Sequence, residues 1–239
     1  MTDNGERKRV SLYLLAGLAT APQFMESFRV ALHDIIAREG FGVRTSQLLF
    51  PYGDWSRRAI PQLWEISRDM RLGAGRFGRS IGGGRAVDRI GSGWTPGPGP
   101  GDRIVLVGHS GGGVAAVHAA WQLMDLIGGP PSPVVMIGSP RCRIPEELRE
   151  SVLFVYAGGA QQDPGRPGRS ADAVARLGTF GGGWLRKADK HAPPFSGGVP
   201  IIGKHADYFR EREPYVNELG LTNQRLTLDV VWPWLRERI

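Results

Sequence analysis

Residues 104–112 read Ile104-Val105-Leu106-Val107-Gly108-His109-Ser110-Gly111-Gly112. Four consecutive apolar residues suit a strand buried on both faces, as in a parallel sheet. The run leads directly into Gly-x-Ser-x-Gly. Residues 114–127 then read as a helix, which Gly128-Gly129-Pro130-Pro131 ends. Strand, tight turn and helix around a central serine make a nucleophile elbow. Such a turn holds serine in a strained conformation, and glycine at 108 and 112 removes side chains that would collide with the flanking strand and helix. Ser110 then projects its hydroxyl above the sheet edge. The backbone N–H of Gly111, at the helix start, points where an oxyanion would form.

Two other glycine patterns compete with this reading. A phosphate-binding Walker loop needs a Gly-Lys-Ser/Thr ending, which this turn lacks. Residues 73–78 fit G-x-G-x-x-G, but helix-like sequence precedes them where a dinucleotide site needs a strand.

Outward from the elbow, short β-like runs alternate with helical stretches. Residues 10–16, 43–50, 104–107, 134–137 and 152–156 read as strands. Residues 24–39, 114–127, 145–150 and 226–238 read as helices, with Pro233 a flaw in the last. This alternation predicts an α/β fold with a mainly parallel sheet flanked by helices. Right-handed crossovers put every strand's C-terminal end on one edge, where ligands of open sheets bind. Two segments fall outside the alternation. Residues 53–101 hold a predicted helix over 60–72 and then glycine-rich sequence. Residues 164–204 include a helical stretch over 171–177. Both are expected to be lid-like segments walling the site of a single 239-residue domain.

Composition narrows the class. The one cysteine, Cys142, excludes an internal disulfide and a cysteine-based zinc cage. Arg141 and Arg143 beside it favour a lowered thiol pKa, but no motif surrounds it and a packed role is the simpler reading. No stretch reaches the ~20 apolar residues of a spanning helix, so no integral membrane segment is expected. The net charge is +7. The arginines are scattered, and no nucleic-acid motif accompanies them, so no nucleic-acid partner is expected. The start imitates a secretory signal, with Arg7-Lys8-Arg9, an apolar run and Ala19-Thr20-Ala21. Asp3, Glu6 and Gly17 weaken that reading, and a buried first strand and a cytoplasmic protein are expected instead.

With Gly108-His109-Ser110-Gly111-Gly112 and the order Ser…Asp…His, the chain resembles the α/β-hydrolase family from Val10 to its last helix. It departs from the family in lacking the usual first two strands, so the expected sheet is a reduced one. The resemblance implies a serine–histidine–acid triad and a second oxyanion donor from the loop after an early strand. Here that loop is Ala16-Gly17-Leu18-Ala19, with the N–H of Leu18 the first candidate and that of Ala19 the next. It also implies the triad histidine between a late apolar run and the last helix, where His205 stands. His191, in a proline-flanked loop, is the rival. His33, His109 and His118 are read as packing or surface residues. The acid is expected after the fifth strand, at Asp163. Asp172 is its main rival, and Asp207 is too close in sequence to His205.

These residues suit hydrolysis of carboxylic esters through an acyl-enzyme, esterase- or lipase-like, with no metal or organic cofactor. A thioesterase or other acyl hydrolase would use the same groups. A non-catalytic ligand-binding protein on the same scaffold is the alternative of another class. The expected partner is a small-molecule acyl ester. The arginines of residues 53–101 predict a basic rim that favours anionic or lipid substrates. Trp55, Trp64, Trp94 and Trp184 are read either as an apolar acyl pocket or as core.

Overall fold

A computed structural model describes residues 8–73, 75–92, 102–158, 170–181 and 191–239. Six strands form one sheet: β1 (Arg9–Leu15), β2 (Gly42–Leu49), β3 (Arg103–His109), β4 (Val134–Ile137), β5 (Val152–Ala157) and β6 (Phe195–Val199). Their order across the sheet is β2-β1-β3-β4-β5-β6, and every neighbouring pair is parallel. Among the described residues five α-helices accompany them: α1 (Glu26–Arg38), α2 (Ala59–Met70), α3 (Ile81–Ser92), α4 (Gly111–Ile127) and α5 (Asn223–Arg236). This is the α/β architecture that the strand–helix alternation implies.

The period of two along each strand separates two cores. Tyr13, Leu15, Leu106, Met136 and Phe154 face α3 and α4, which contribute Ala86, Ile90 and the apolar run from Val114 to Leu123. Leu12, Leu14, Val105, Val107, Val135 and Val155 face α1 and α5, which contribute Phe28, Leu32, Ile36, Val231 and Leu235. The sheet is therefore a middle layer between α1 and α5 on one face and α3 and α4 on the other, and α2 packs on α3 and α4.

Several elements differ from their sequence reading. Two were not expected at all. The α3 sequence begins Ile81-Gly82-Gly83-Gly84, which reads as loop, yet its glycines are places of close packing. A Cβ on Gly82 would collide with the Tyr52 ring, and one on Gly83 would lie 2.8 Å from His118 Cβ. β6, with Gly197 and Gly198, pairs β5 as the edge strand. A Cβ on Gly197 would collide with Val230 of α5. The helical expectation over 171–177 reduces to one 3-10 turn at Val174–Arg176, and that over 145–150 becomes the 3-10 turn Glu146–Ser151. α5 accommodates Pro233 and starts at a Thr222 cap, whose hydroxyl accepts from the Arg225 N–H at 3.1 Å.

Candidate active site

β3 ends at His109 and α4 begins at Gly111, leaving Ser110 alone at the turn. Its backbone stands at φ 55°, ψ −133°, a region that L-residues adopt only under constraint. The constraint is visible on both sides. Ser110 N–H donates to the Ile137 carbonyl at 3.0 Å, and Gly113 N–H donates to the Ser110 carbonyl at 3.0 Å. A Cβ on Gly108 would run into the Gly112 carbonyl, and one on Gly112 into the Leu15 carbonyl. The two glycines of the motif are thus required by backbone contact. Gly17 has the same cause, since a Cβ there would sit 2.9 Å from the His109 carbonyl oxygen and from the Gly111 nitrogen.

The loop after β1 lies against this turn. Ala19, at φ 46°, donates its N–H to Gln62 Oε1 of α2 at 2.9 Å. Gln62 is fully buried, and its Nε2 donates to the Asp54 and Arg57 carbonyls. The Ala19 N–H is therefore occupied. The Leu18 N–H has no hydrogen-bond acceptor among the described residues. Gly111 is the first residue of α4, so its N–H has no intrahelical acceptor.

His205 Nδ1 lies 2.8 Å from Asp172 Oδ2. The carboxylate can only accept here, so Nδ1 carries the proton and Nε2 is left as the basic nitrogen. Asp172 is almost fully buried and takes two further bonds, from the Val174 N–H at 2.8 Å and the Tyr208 hydroxyl at 3.0 Å. Burial alone would raise its pKa. The His205 ring, with Val174 and Tyr208, overcomes that and holds it below the usual carboxylate value. Tyr208 is held neutral by burial and by Asp172, and its oxygen also accepts the Ala157 N–H at 2.7 Å.

The carboxylate on the His205 ring is Asp172, the rival in the sequence reading; the favoured Asp163 lies outside the described residues. The physical reason is the path of the chain. After its excursion it returns to the end of β5, where Ala171 N–H donates to the Ala157 carbonyl at 2.7 Å and Ser170 Oγ to the same oxygen at 3.0 Å. Those two bonds fix the residue that follows beside the C-terminal edge of the sheet. His191 comes four residues before β6, and the next residue, Ala192, accepts from Arg149 just ahead of β5, near the N-terminal ends of these parallel strands.

Nothing in the sequence marks His109 as touching the base, yet its ring stacks on that of His205 with centroids 4.7 Å apart. Its Nε2–H donates to the His205 carbonyl at 3.1 Å. Phe24 and Phe209 pack around it. Burial, and the neighbouring His205 ring, push its pKa down to about 3, so it is neutral. His118 is neutral too, pushed down to about 4 by burial, with Nδ1 3.0 Å from Ser80 Oγ. Cys142 is buried, which raises its thiol to about 12, the opposite of what its arginine neighbours suggest.

Ser110, Gly111, His205 and Leu18 line one cavity of about 540 Å³. Its remaining wall is mostly apolar, with Phe24, Leu63, Ile66, Met70, Val174 and Leu177. Trp55 and Trp64 do not line it and are not core either, being exposed at the surface. Trp94 and Trp184 lie outside the described residues. The cavity therefore brings together the predicted serine, the predicted histidine and both predicted N–H donors.

No protein-family model matches the chain, and no curated protein does. Among solved structures it is similar to a cutinase-like protein from Cryptococcus sp., at 19% identity and TM-score 0.35, over 58% of this chain and 57% of that one. It is also similar to a structure described for LipS and LipT, two metagenome-derived lipolytic enzymes. That match has 18% identity and TM-score 0.30, over 59% of this chain and 46% of that one. The chain thus spans about half the length of these structures.

Proposed function

We propose that this protein is a serine hydrolase that cleaves carboxylic esters through an acyl-enzyme. The observation that carries this reading is the convergence in one apolar cavity of a strained Ser110 and a His205 oriented by buried Asp172.

His205 Nε2 takes the Ser110 proton as Oγ attacks the ester carbonyl carbon. The N–H groups of Leu18 and Gly111 hold the resulting oxyanion. Asp172 keeps the imidazole in the required tautomer and stabilises its cation. The tetrahedral intermediate collapses, His205 returns its proton to the departing alcohol, and the acyl group stays on Ser110. Water then attacks the acyl-enzyme with His205 again as base, releasing the acid and restoring Ser110. The apolar walls, Leu63, Ile66, Met70 and Leu177 among them, suit a hydrocarbon acyl group.

A fluorophosphonate probe tests the reading. The wild-type protein should be labelled at Ser110, and Ser110→Ala should not be. Absence of labelling in folded wild-type protein, or equal labelling of the variant, would remove Ser110 as the nucleophile.

A further inference from the structure

α2 buries Ile66 and Met70 together with three polar side chains, and leaves three further apolar side chains outside. Ile60, Leu63 and Trp64 point outward at 81%, 51% and 61% exposure, while Gln62, Glu65 and Asp69 are buried. The spacing i, i+3, i+4 puts the three apolar residues on one face, and Ser67 and Arg71 continue that face.

The orientation is locked from the inside. Glu65 receives paired bonds from Arg57 and Arg85, the shortest at 2.6 Å. Asp69 accepts from the Tyr52 and Ser80 hydroxyls and from the N–H groups of Ile81 and Gly82. Gln62 makes the three bonds described above. Turning the helix to bury Ile60, Leu63 and Trp64 would strand two carboxylates and an amide, each costly without partners. The apolar face is therefore held outward.

Charge follows the same partition. Between residues 55 and 80 the only carboxylates are Glu65 and Asp69, and both are buried. Arg58, Arg68, Arg71, Arg76 and Arg79 are exposed. Arg58 immediately precedes α2, Arg68 lies over the Trp64 ring at 5.8 Å, and Arg71 bonds back to Ser67 at the helix end. The exposed face is thus tryptophan and aliphatic at its centre and cationic at its margin. Leu63 and Ser67 line the Ser110 cavity, and exposed Leu177 lines it as well. Trp55, 64% exposed, donates its backbone N–H to Thr20, another lining residue.

We propose that the outward face of α2, with Trp55 beside it, docks the protein on an anionic lipid surface and sets the mouth of the Ser110 cavity against that surface. Apolar side chains with tryptophan enter the headgroup–acyl boundary, and marginal arginines pair with anionic headgroups. The long arginine side chains can lay their stems along the apolar face while their charged ends reach phosphates.

The experiment is co-sedimentation of the full chain, carrying Ser110→Ala so that vesicles are not hydrolysed. Vesicles contain phosphatidylglycerol and phosphatidylcholine in equal parts, or phosphatidylcholine alone. Binding therefore stands or falls separately from the hydrolase reading. The expected result is binding to the anionic vesicles that weakens with salt and is at least ~10-fold weaker on phosphatidylcholine. The double change Ile60→Ser with Trp64→Ser should weaken it ~10-fold, and so should Arg58→Glu with Arg68→Glu. All four positions are exposed, and circular dichroism checks each variant's fold. No binding, equal binding to both vesicles, or undiminished binding by either folded variant would overturn the proposal. So would light scattering that shows a dimer converted to monomer by Ile60→Ser with Trp64→Ser, since the face would then cover a second copy.

Discussion

His109 and His205 lie ring against ring, 23° from parallel, with His109 Nε2–H bonded to the carbonyl oxygen of the residue it stacks on. His109, the residue before Ser110, thereby holds both the ring and the backbone of His205. In the proposed reaction it is a positioning residue. His109→Phe keeps a ring for packing and removes the donor. A hydrogen bond is worth about 1 kcal/mol, so kcat should fall several-fold to about tenfold with KM nearly unchanged. His109→Gln, which restores an N–H, should recover part of the loss. Steady-state kinetics on a water-soluble ester checks both. A change in KM alone would show that His109 shapes the pocket and does not position the base.

The same histidine ties stability to pH. Buried His109 and His118 have pKa values pushed down from 6.5 to about 3 and about 4. The unfolded chain takes up these protons near pH 6.5, whereas the folded protein does not. Unfolding therefore gains protons as pH falls, and stability drops from about pH 6.5 toward pH 4. Above pH 6.5 both states are neutral at these residues and the contribution is flat. Denaturant titrations across this range should show the decline. His118→Gln, which keeps a polar group near Ser80, should make it shallower.

Strain at Ser110 gives a further expectation. φ 55°, ψ −133° costs a non-glycine residue about 1–3 kcal/mol. Ser110→Ala keeps the side-chain clash and loses the nucleophile, so hydrolysis should disappear with Tm near that of the wild type. Ser110→Gly should also be inactive. It should gain stability, less about 0.5–1 kcal/mol from the added freedom of the unfolded chain. A net gain of about 1 kcal/mol would raise Tm by about 2–4 °C. Calorimetry that finds Ser110→Gly less stable than Ser110→Ala would show that the turn stores no strain.

Asp172→Asn keeps the shape of the buried carboxyl and removes the acceptor that fixes the His205 tautomer. Turnover should fall by about 10³–10⁴. Asp163→Asn should leave turnover close to that of the wild type. Kinetics of the two variants side by side decides the acid, and a large loss at Asp163 with little at Asp172 would reverse the assignment.

The elbow is legible in the sequence because its residues form one contiguous motif behind a continuous apolar run. Gly108 is needed by a contact within the turn, with Gly112, whereas Gly112 answers to Leu15 of the neighbouring strand, far away in sequence. His205 follows from the motif order that the resemblance supplies. α3 was not legible, because the glycines that hide its helical pattern answer to Tyr52 and His118, which are remote in sequence. β6 was hidden in the same way by Val230. The acid shows the division most clearly. Asp163 and Asp172 stand in one excursion after β5, and composition does not separate them. What places Asp172 on the His205 ring is the return of the chain to β5, through the bonds of Ser170 and Ala171 to Ala157. The Ser110 turn and the layered α/β order are readable from contiguous residues, since the motif is continuous and apolar periodicity acts over a few residues. Which carboxylate meets His205 and which face of α2 is turned outward are set by the folded chain, because both depend on hydrogen-bond partners from other parts of the sequence.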